Sequence, residues 1–277
     1  MNNEKILNGK ALSEQILHQI RQQVLPMKNT PNLAAILIGD DPSSHLYVKL
    51  KKRACDFCQI NFHQYFFSKK TPVTEIFQVI DFLNKDKETD GILVQLPLPT
   101  EFPTNEIINR ILPQKDIDGF HEQNLQKNKN NETKIYSPLI LGVMELLRST
   151  GENLTNKKIT ILCNHKIFGR PFLELFDESN EISIKTLQDN DYQEKLKSAD
   201  VLIVSIGQPQ FIRAEQIKKN AIIIDIGINK INGQIVGDVD FYQVLPKVKF
   251  ISPVPGGVGP MTIAMLLQNL LKIHKNK

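Results

Sequence analysis

Leu33-Ala34-Ala35-Ile36-Leu37-Ile38, followed at once by Gly39-Asp40-Asp41-Pro42, is an unbroken apolar run halted by turn-forming residues. Six apolar side chains without alternation do not suit a sheet with one wet face, so the segment reads as a strand covered on both sides. Outward from it, an amphipathic helix is expected over residues 11–24, and a second helix opens at Ser43 or Ser44 and runs to about Cys58. A strand around 62–67, a helix around 74–84 and a strand at 91–95 continue the series. Strands and helices alternating in this way build a parallel sheet with helices on both faces.

A polar stretch, 123–134, interrupts the pattern and marks a boundary region before a second α/β series. Its strands are expected at 158–163, 182–186, 201–206 and 221–226, with helices at about 170–178 and 192–198, an order that suits a Rossmann-like unit. Asn232-Gly233, set between Lys230-Ile231 and Gln234-Ile235-Val236, signals a tight hairpin. The fold class is therefore α/β in two domains. With 277 residues and 41% apolar content, the chain has enough material for two modest cores.

Composition narrows the function. The net charge of +4 is mild and the basic residues are dispersed, which disfavours nucleic acid and suits a small anionic substrate. Cys55, Cys58 and Cys163 form no disulfide framework, the first twenty residues carry Glu4, Lys5 and Lys10 with no apolar core, and no apolar run reaches membrane-spanning length. No membrane association and a cytoplasmic location are expected. Cys55-Asp-Phe-Cys58 falls inside a helix without a second pair, and His18, His45, His63, His121 and His274 lack ligand spacing, so no metal is expected.

Three features point to chemistry. Ser252-Pro-Val-Pro-Gly-Gly-Val-Gly-Pro-Met-Thr262 packs three prolines and three glycines before a helical run, 261–272. It reads either as a stiff ligand wall of exposed peptide groups or as a tight turn with Pro260 opening the helix. Tyr47 and Lys51 lie four residues apart and share a helix face. Helical lysines commonly coat exposed surface, but one held against apolar surface loses solvation of its charged form and can move protons near neutrality. Gln95 ends a buried strand, where a polar side chain either faces a ligand crevice or simply terminates the strand. In Lys115-Asp-Ile-Asp118-Gly119, Asp116 reads as a turn or cap residue.

Pro253 to Thr262, taken with Asp90-Gly-Ile-Leu-Val-Gln-Leu-Pro-Leu-Pro99, resembles the two signatures of the bifunctional methylenetetrahydrofolate dehydrogenase/methenyltetrahydrofolate cyclohydrolase family. The resemblance implies an N-terminal folate-binding catalytic domain, 1–140 completed by 255–277 through a returning C-terminal helix, and a Rossmann-like NADP-binding domain, 141–254. It places the catalytic set at Lys51, Tyr47, Gln95 and Asp118. Gln95 would hold Lys51, and Tyr47, Asp118, Pro255, Gly256 and Gly257 would bind folate. It further implies a homodimer.

The dinucleotide contacts implied are Cys163, Asn164, His165, Gly169, Gly207 and Ile228. This loop departs from the family pattern, which opens on glycine where Cys163 stands, and Thr186 replaces the usual histidine. NADP is expected over NAD because no acid ends the strand at 182–186, and Lys185 or His165 is available for a ribose 2′-phosphate. Two alternatives stand beside this reading: a cyclohydrolase with lost or weakened dehydrogenase activity, which the altered loop suggests, and a non-catalytic folate-binding module, against which the intact Lys51 argues.

Overall fold

A computed structural model describes residues 4–126 and 135–277, so most of the expected boundary stretch lies outside the described residues and only a short helix, Glu122–Gln126, precedes it. The chain divides into two compact units. One comprises Ser13–Pro138 and Ile263–Lys277, the other Met1–Leu12 and Leu139–Thr262.

The first unit is built on β1 (Asn32–Ile38), β2 (Asn61–Phe67) and β3 (Gly91–Val94), all parallel in the order β2-β1-β3. The apolar run forms the central strand, and Leu33 to Ile38 are all buried. Ile36, Ile76, Ile80, Leu83, Ile92 and Ile107 share one core on its flank, each worth about 1.5–3 kcal/mol of burial. The helix after β1 runs Pro42–Cys58, one residue earlier than expected. Asp41 supplies the reason: its carboxylate accepts Ser44 N–H at 2.7 Å as N-cap, and Pro42 occupies a first-turn position where no N–H is needed. The helix Val73–Lys85 is closed at its C-terminal end by buried Lys115, whose ammonium donates to Leu83 O (2.7 Å) and Asp86 O (2.6 Å).

The end of the chain completes this unit. The last helix spans Val258–Lys275, with Pro260 inside its first turn, and its later part belongs here. Buried Asn269 donates to both Ile117 O and Tyr136 O at 2.9 Å.

The second unit contains β4 (Lys158–Cys163), β5 (Glu181–Lys185), β6 (Val201–Ser205), β7 (Ile222–Asp225), β8 (Asn229–Ile231), β9 (Gln234–Val236) and β10 (Phe250–Ile251). Five form a parallel sheet in the order β10-β7-β6-β4-β5. Strands β8 and β9 pair as a hairpin whose turn residues Asn232 (φ 49°) and Gly233 (φ 84°) both adopt the positive φ of a two-residue type I′ loop. The helix expected at 170–178 is absent as such. Two short turns, Lys166–Gly169 and Phe172–Leu175, stand in its place, because Pro171 has no N–H to continue a helix and Phe176 is already extended.

The N-terminal segment docks on this second sheet. Ile6 bridges Ile251, Leu7 N–H donates to Ile251 O (2.9 Å), and Lys10 N–H donates to Gly256 O (3.0 Å). Gly9 lies so close to the Gly257 carbonyl that a Cβ would collide with it. These bonds make the compact units change over at residues 12/13, 138/139 and 262/263, whereas the division expected by resemblance falls at 140/141 and 254/255.

Candidate active site

In the first unit, Lys51 projects from the Pro42–Cys58 helix toward the C-terminal end of β3, and its ammonium donates to Gln95 Oε1 at 2.9 Å. Gln95 is only 8% exposed. Its own N–H₂ donates to Leu96 O at 2.7 Å, so the amide has one consistent orientation: the oxygen faces the lysine. The backbone N–H of Gln95 donates to Ile36 O, which fixes the residue to the central strand. Burial pushes the Lys51 pKa down, and the Asp118 carboxylate opposes that fall. Tyr47 is half-buried one turn earlier on the same helix.

Asp118 reaches this cluster through a turn made by its neighbour. Ile92 N–H donates to Lys115 O (2.7 Å), which lays 115–116 beside β3. The Asp116 carboxylate then accepts Gly119 N–H (3.1 Å), His121 N–H (2.8 Å) and Asn124 Nδ2 (2.9 Å). Gly119 sits at φ 69°, and a Cβ there would come within 2.6 Å of Ile135 O. Positive φ and a backbone neighbour together require glycine. Asn269 pins the same turn from the last helix through Ile117 O. Lys51, Gln95 and Asp118 are therefore brought together, with Asp116 as the scaffold of the turn.

Burial raises the Asp118 pKa to about 6, Lys51 pulls it down, and Asp116 pushes it further up. Because the folded value lies above the usual one, its stability contribution is complete below the ordinary carboxylate range and is lost as pH rises through about 6. Asp118→Asn should remove that loss. Urea midpoints measured at about pH 5 and about pH 8 should differ less in the variant than in wild type, and an equal difference would refute the assignment.

The second unit presents its loops at the C-terminal ends of β4, β6 and β7. Asn164, His165, Gly207 and Ile228 are exposed there. Gly207 (φ 64°) has open space where a Cβ would stand, with Asn164 Nδ2 the nearest atom at 3.9 Å. Gly169 packs within 2.8 Å of Ile184 at its virtual Cβ, the close helix-to-strand approach of a dinucleotide fingerprint. Cys163 does not obstruct the open side: it is 1% exposed, with its sulfur 3.3 Å from His165 O and 3.8 Å from Lys185 O. Glycines, exposed loop residues and an open strand end fit a dinucleotide.

Two features at this edge depart from the expectation. An acid does reach the end of β5, because Asp189 folds back and accepts Thr186 N–H (2.7 Å) and Thr186 Oγ1 (2.9 Å). Lys185 is engaged by Asp191 at 2.8 and 2.6 Å. Sequence order hid both, since each carboxylate lies several residues beyond the strand.

Two buried carboxylates organise the same loops. Asp225 accepts Gly227 N–H (2.9 Å), Asp238 N–H (3.1 Å) and Val239 N–H (2.9 Å). Asp238 accepts Ile206 N–H (2.7 Å), Gly207 N–H (3.1 Å) and Asn229 Nδ2 (2.8 Å). The only sequence signal for them was an aspartate set beside glycine in Gly237-Asp238 and in Asp225-Ile-Gly227. In the 252–262 loop, Ser252 Oγ accepts Asp225 N–H (2.8 Å), Gly256 takes φ 104°, and a Cβ on Gly257 would approach Pro253 O at 2.5 Å.

Among the described residues no group of His, Cys, Asp or Glu could hold a metal ion, and no helix is long and apolar enough to cross a membrane. Cys55 and Cys58 are both buried with their thiol pKa values pushed up, that of Cys58 to about 11, which makes them inert.

Comparison with known proteins matches both parts of the chain. Residues 7–118 match the tetrahydrofolate dehydrogenase/cyclohydrolase catalytic domain, and residues 138–277 match the NAD(P)-binding domain of the same family. The bifunctional protein FolD of Campylobacter fetus subsp. fetus is 40% identical over 278 residues, covering 99% of this chain and 98% of that protein. The crystal structure of bifunctional FolD from Campylobacter jejuni superposes with a TM-score of 0.92 at 38% identity, covering 98% of each chain. The Trypanosoma brucei enzyme, solved with NADP cofactor and an inhibitor, superposes at 0.89 with 28% identity, covering 98% of this chain and 97% of that one. With a half-buried lysine on a strand-end glutamine in one matched domain and a dinucleotide fingerprint in the other, the chain belongs to the tetrahydrofolate dehydrogenase/cyclohydrolase family.

Proposed function

We propose that the protein oxidises 5,10-methylenetetrahydrofolate to the methenyl form with NADP and hydrolyses the latter to 10-formyltetrahydrofolate. The observation that carries this reading is the half-buried Lys51 ammonium, hydrogen-bonded at 2.9 Å to Gln95 and electrostatically opposed to Asp118. A bound dinucleotide would supply the hydride acceptor for the one-carbon bridge, and exposed Asn164, His165, Gly207 and Ile228 would hold it, with Cys163 and Gly169 packed behind them as the floor of the loop.

The hydrolytic step belongs to this chain's own side chains. Water adds to the cationic methenyl carbon, losing a proton, and ring opening needs a proton delivered to the departing folate nitrogen. Lys51, its pKa lowered by burial, is the group able to take and return that proton. Gln95 keeps the amine aimed, Tyr47 holds the folate ring, and Asp118 accepts the paired N–H groups of the pterin. Pro255, Gly256 and Gly257 are assigned to folate on the family resemblance.

The division for ligand handling is 1–140 with 255–277 for folate and 141–254 for the dinucleotide, a functional partition that crosses the compact units at residues 1–12 and 255–262. A homodimer and a cytoplasmic location complete the proposal. Separate assays test it: NADP reduction by methylenetetrahydrofolate and disappearance of methenyltetrahydrofolate should both be enzyme-dependent. Hydrolysis without any reduction of NADP or NAD would leave only a cyclohydrolase.

A further inference from the structure

In a doubly wound sheet, the 2′ position of the adenosine ribose is recognised at the end of the second strand: a carboxylate there suits a hydroxyl, and a free cation suits a phosphate. In this chain that strand is β5, parallel to β4 at the sheet edge. Its end lies against the last residue of β4, since Lys185 O is 3.8 Å from Cys163 Sγ. Lys166, from the short turn that follows β4, reaches across and pairs with Asp189 Oδ1 at 2.7 Å. Asp189 is thus fastened at the strand end from both sides, by Thr186 and by Lys166.

The charges at this edge cancel in pairs. Lys185 is bound by both oxygens of Asp191, and Lys166 by Asp189. A 2′-phosphate, bringing a charge of about −1.5 to −2, meets Asp189 and finds both lysines engaged. Hydrogen bonds from Lys166 and Thr186 hold Asp189 as an anion, its pKa lowered to about 2, so the carboxylate is charged at any working pH. A 2′-hydroxyl, by contrast, brings no charge and has Asp189 Oδ1 to donate to, which accepts only from Lys166, whereas Oδ2 is filled by Thr186.

We propose that Asp189 is the specificity-determining residue for the dinucleotide: it accepts a hydrogen bond from a 2′-hydroxyl and opposes a 2′-phosphate, so the protein discriminates only weakly between NADP and NAD. Lys166 is its counterweight, favouring the phosphate. The inference rests on the reading of this edge as a dinucleotide site.

Calorimetric titration of the purified chain with NADP and with NAD tests it without recourse to turnover. Wild type should bind the two with dissociation constants within about tenfold of each other. Asp189→Asn should tighten NADP by about tenfold and leave NAD equal or weaker, with the gain shrinking in high salt. Lys166→Met, at an exposed position, should move the ratio the opposite way, and it serves should the first variant melt early. An unchanged NADP-to-NAD ratio in both variants, or a wild-type preference for NADP beyond about a hundredfold, overturns the proposal while leaving the cofactor site standing. Failure of wild type to bind either dinucleotide overturns the site itself and the proposal with it.

Discussion

Lys51→Met is expected to lower the cyclohydrolase rate by about 10²–10⁴-fold, the usual contribution of a positioned acid–base group. Methionine approximates the unbranched apolar stem, one atom shorter, but has no proton to exchange. Since burial already penalises the ammonium, its removal should not cost stability, and the melting temperature should hold or rise. Gln95 loses its ammonium donor and retains its bond to Leu96 O, which limits the local damage. The decisive measurement is hydrolysis of methenyltetrahydrofolate, corrected for the uncatalysed rate, beside a thermal melt. A variant hydrolysing at more than about a tenth of the wild-type rate would remove Lys51 from the chemistry and revive the reading of a folate-binding module.

The largest stability effect should come from Gly237→Ala. Gly227 and Gly237 each face the other arm of the buried carboxylate pair: a Cβ at 237 would collide with Asp225 Oδ2, and one at 227 with the Asp238 carboxyl group. Asp225 cannot step aside without releasing Gly227, Asp238 and Val239 N–H. Overpacking costs about 1–3 kcal/mol and each stripped buried donor about 1–3 more, so a loss of about 3–5 kcal/mol is expected. That corresponds to a melting temperature lower by about 10 °C. Gly259→Ala is the control, since nothing lies within 4 Å of its Cβ position. Equal melting of the two variants would show that the carboxylate pair yields freely.

The central strand and its alternation with helices were visible in the sequence because burial on both faces leaves an unmistakable apolar run at 33–38. Helix ends were less visible. Asp41 caps the helix ahead of Ser43 and Ser44, and nothing in a row of Asp, Pro and Ser says which hydroxyl or carboxylate wins the N–H. The chemistry of 170–178 was legible only in part: apolar content suggested a helix, but Pro171 and the early extension at Phe176 reduce it to two turns. In the candidate site, Asp116 was recognisable as a turn former from its neighbours Asp118 and Gly119. Asp225, Asp238 and Asn269 were not, because each acts on backbone that only tertiary folding brings near, and Asp189 was not because its carboxylate turns back on Thr186 from three residues beyond. Asp225 and Asp238 lie thirteen residues apart and Asn269 lies 152 residues from Ile117.

The Asn269 tether also sets a timetable for synthesis. On the ribosome, the carbonyl of Ile117 emerges 152 residues before the amide that will donate to it. At the usual elongation speed of about 5–20 residues per second, that is a wait of about 8–30 s. During that interval the turn carrying Asp118 lacks its clamp, and the nascent sheet β2-β1-β3 stands without the final helix segment over it. The clamp on the Asp118 turn is thus finished last, after every element of the intervening Rossmann-like strands has been translated, and a nascent chain halted before residue 263 would hold Lys51 on Gln95 with the Asp118 turn lacking its bond from Asn269.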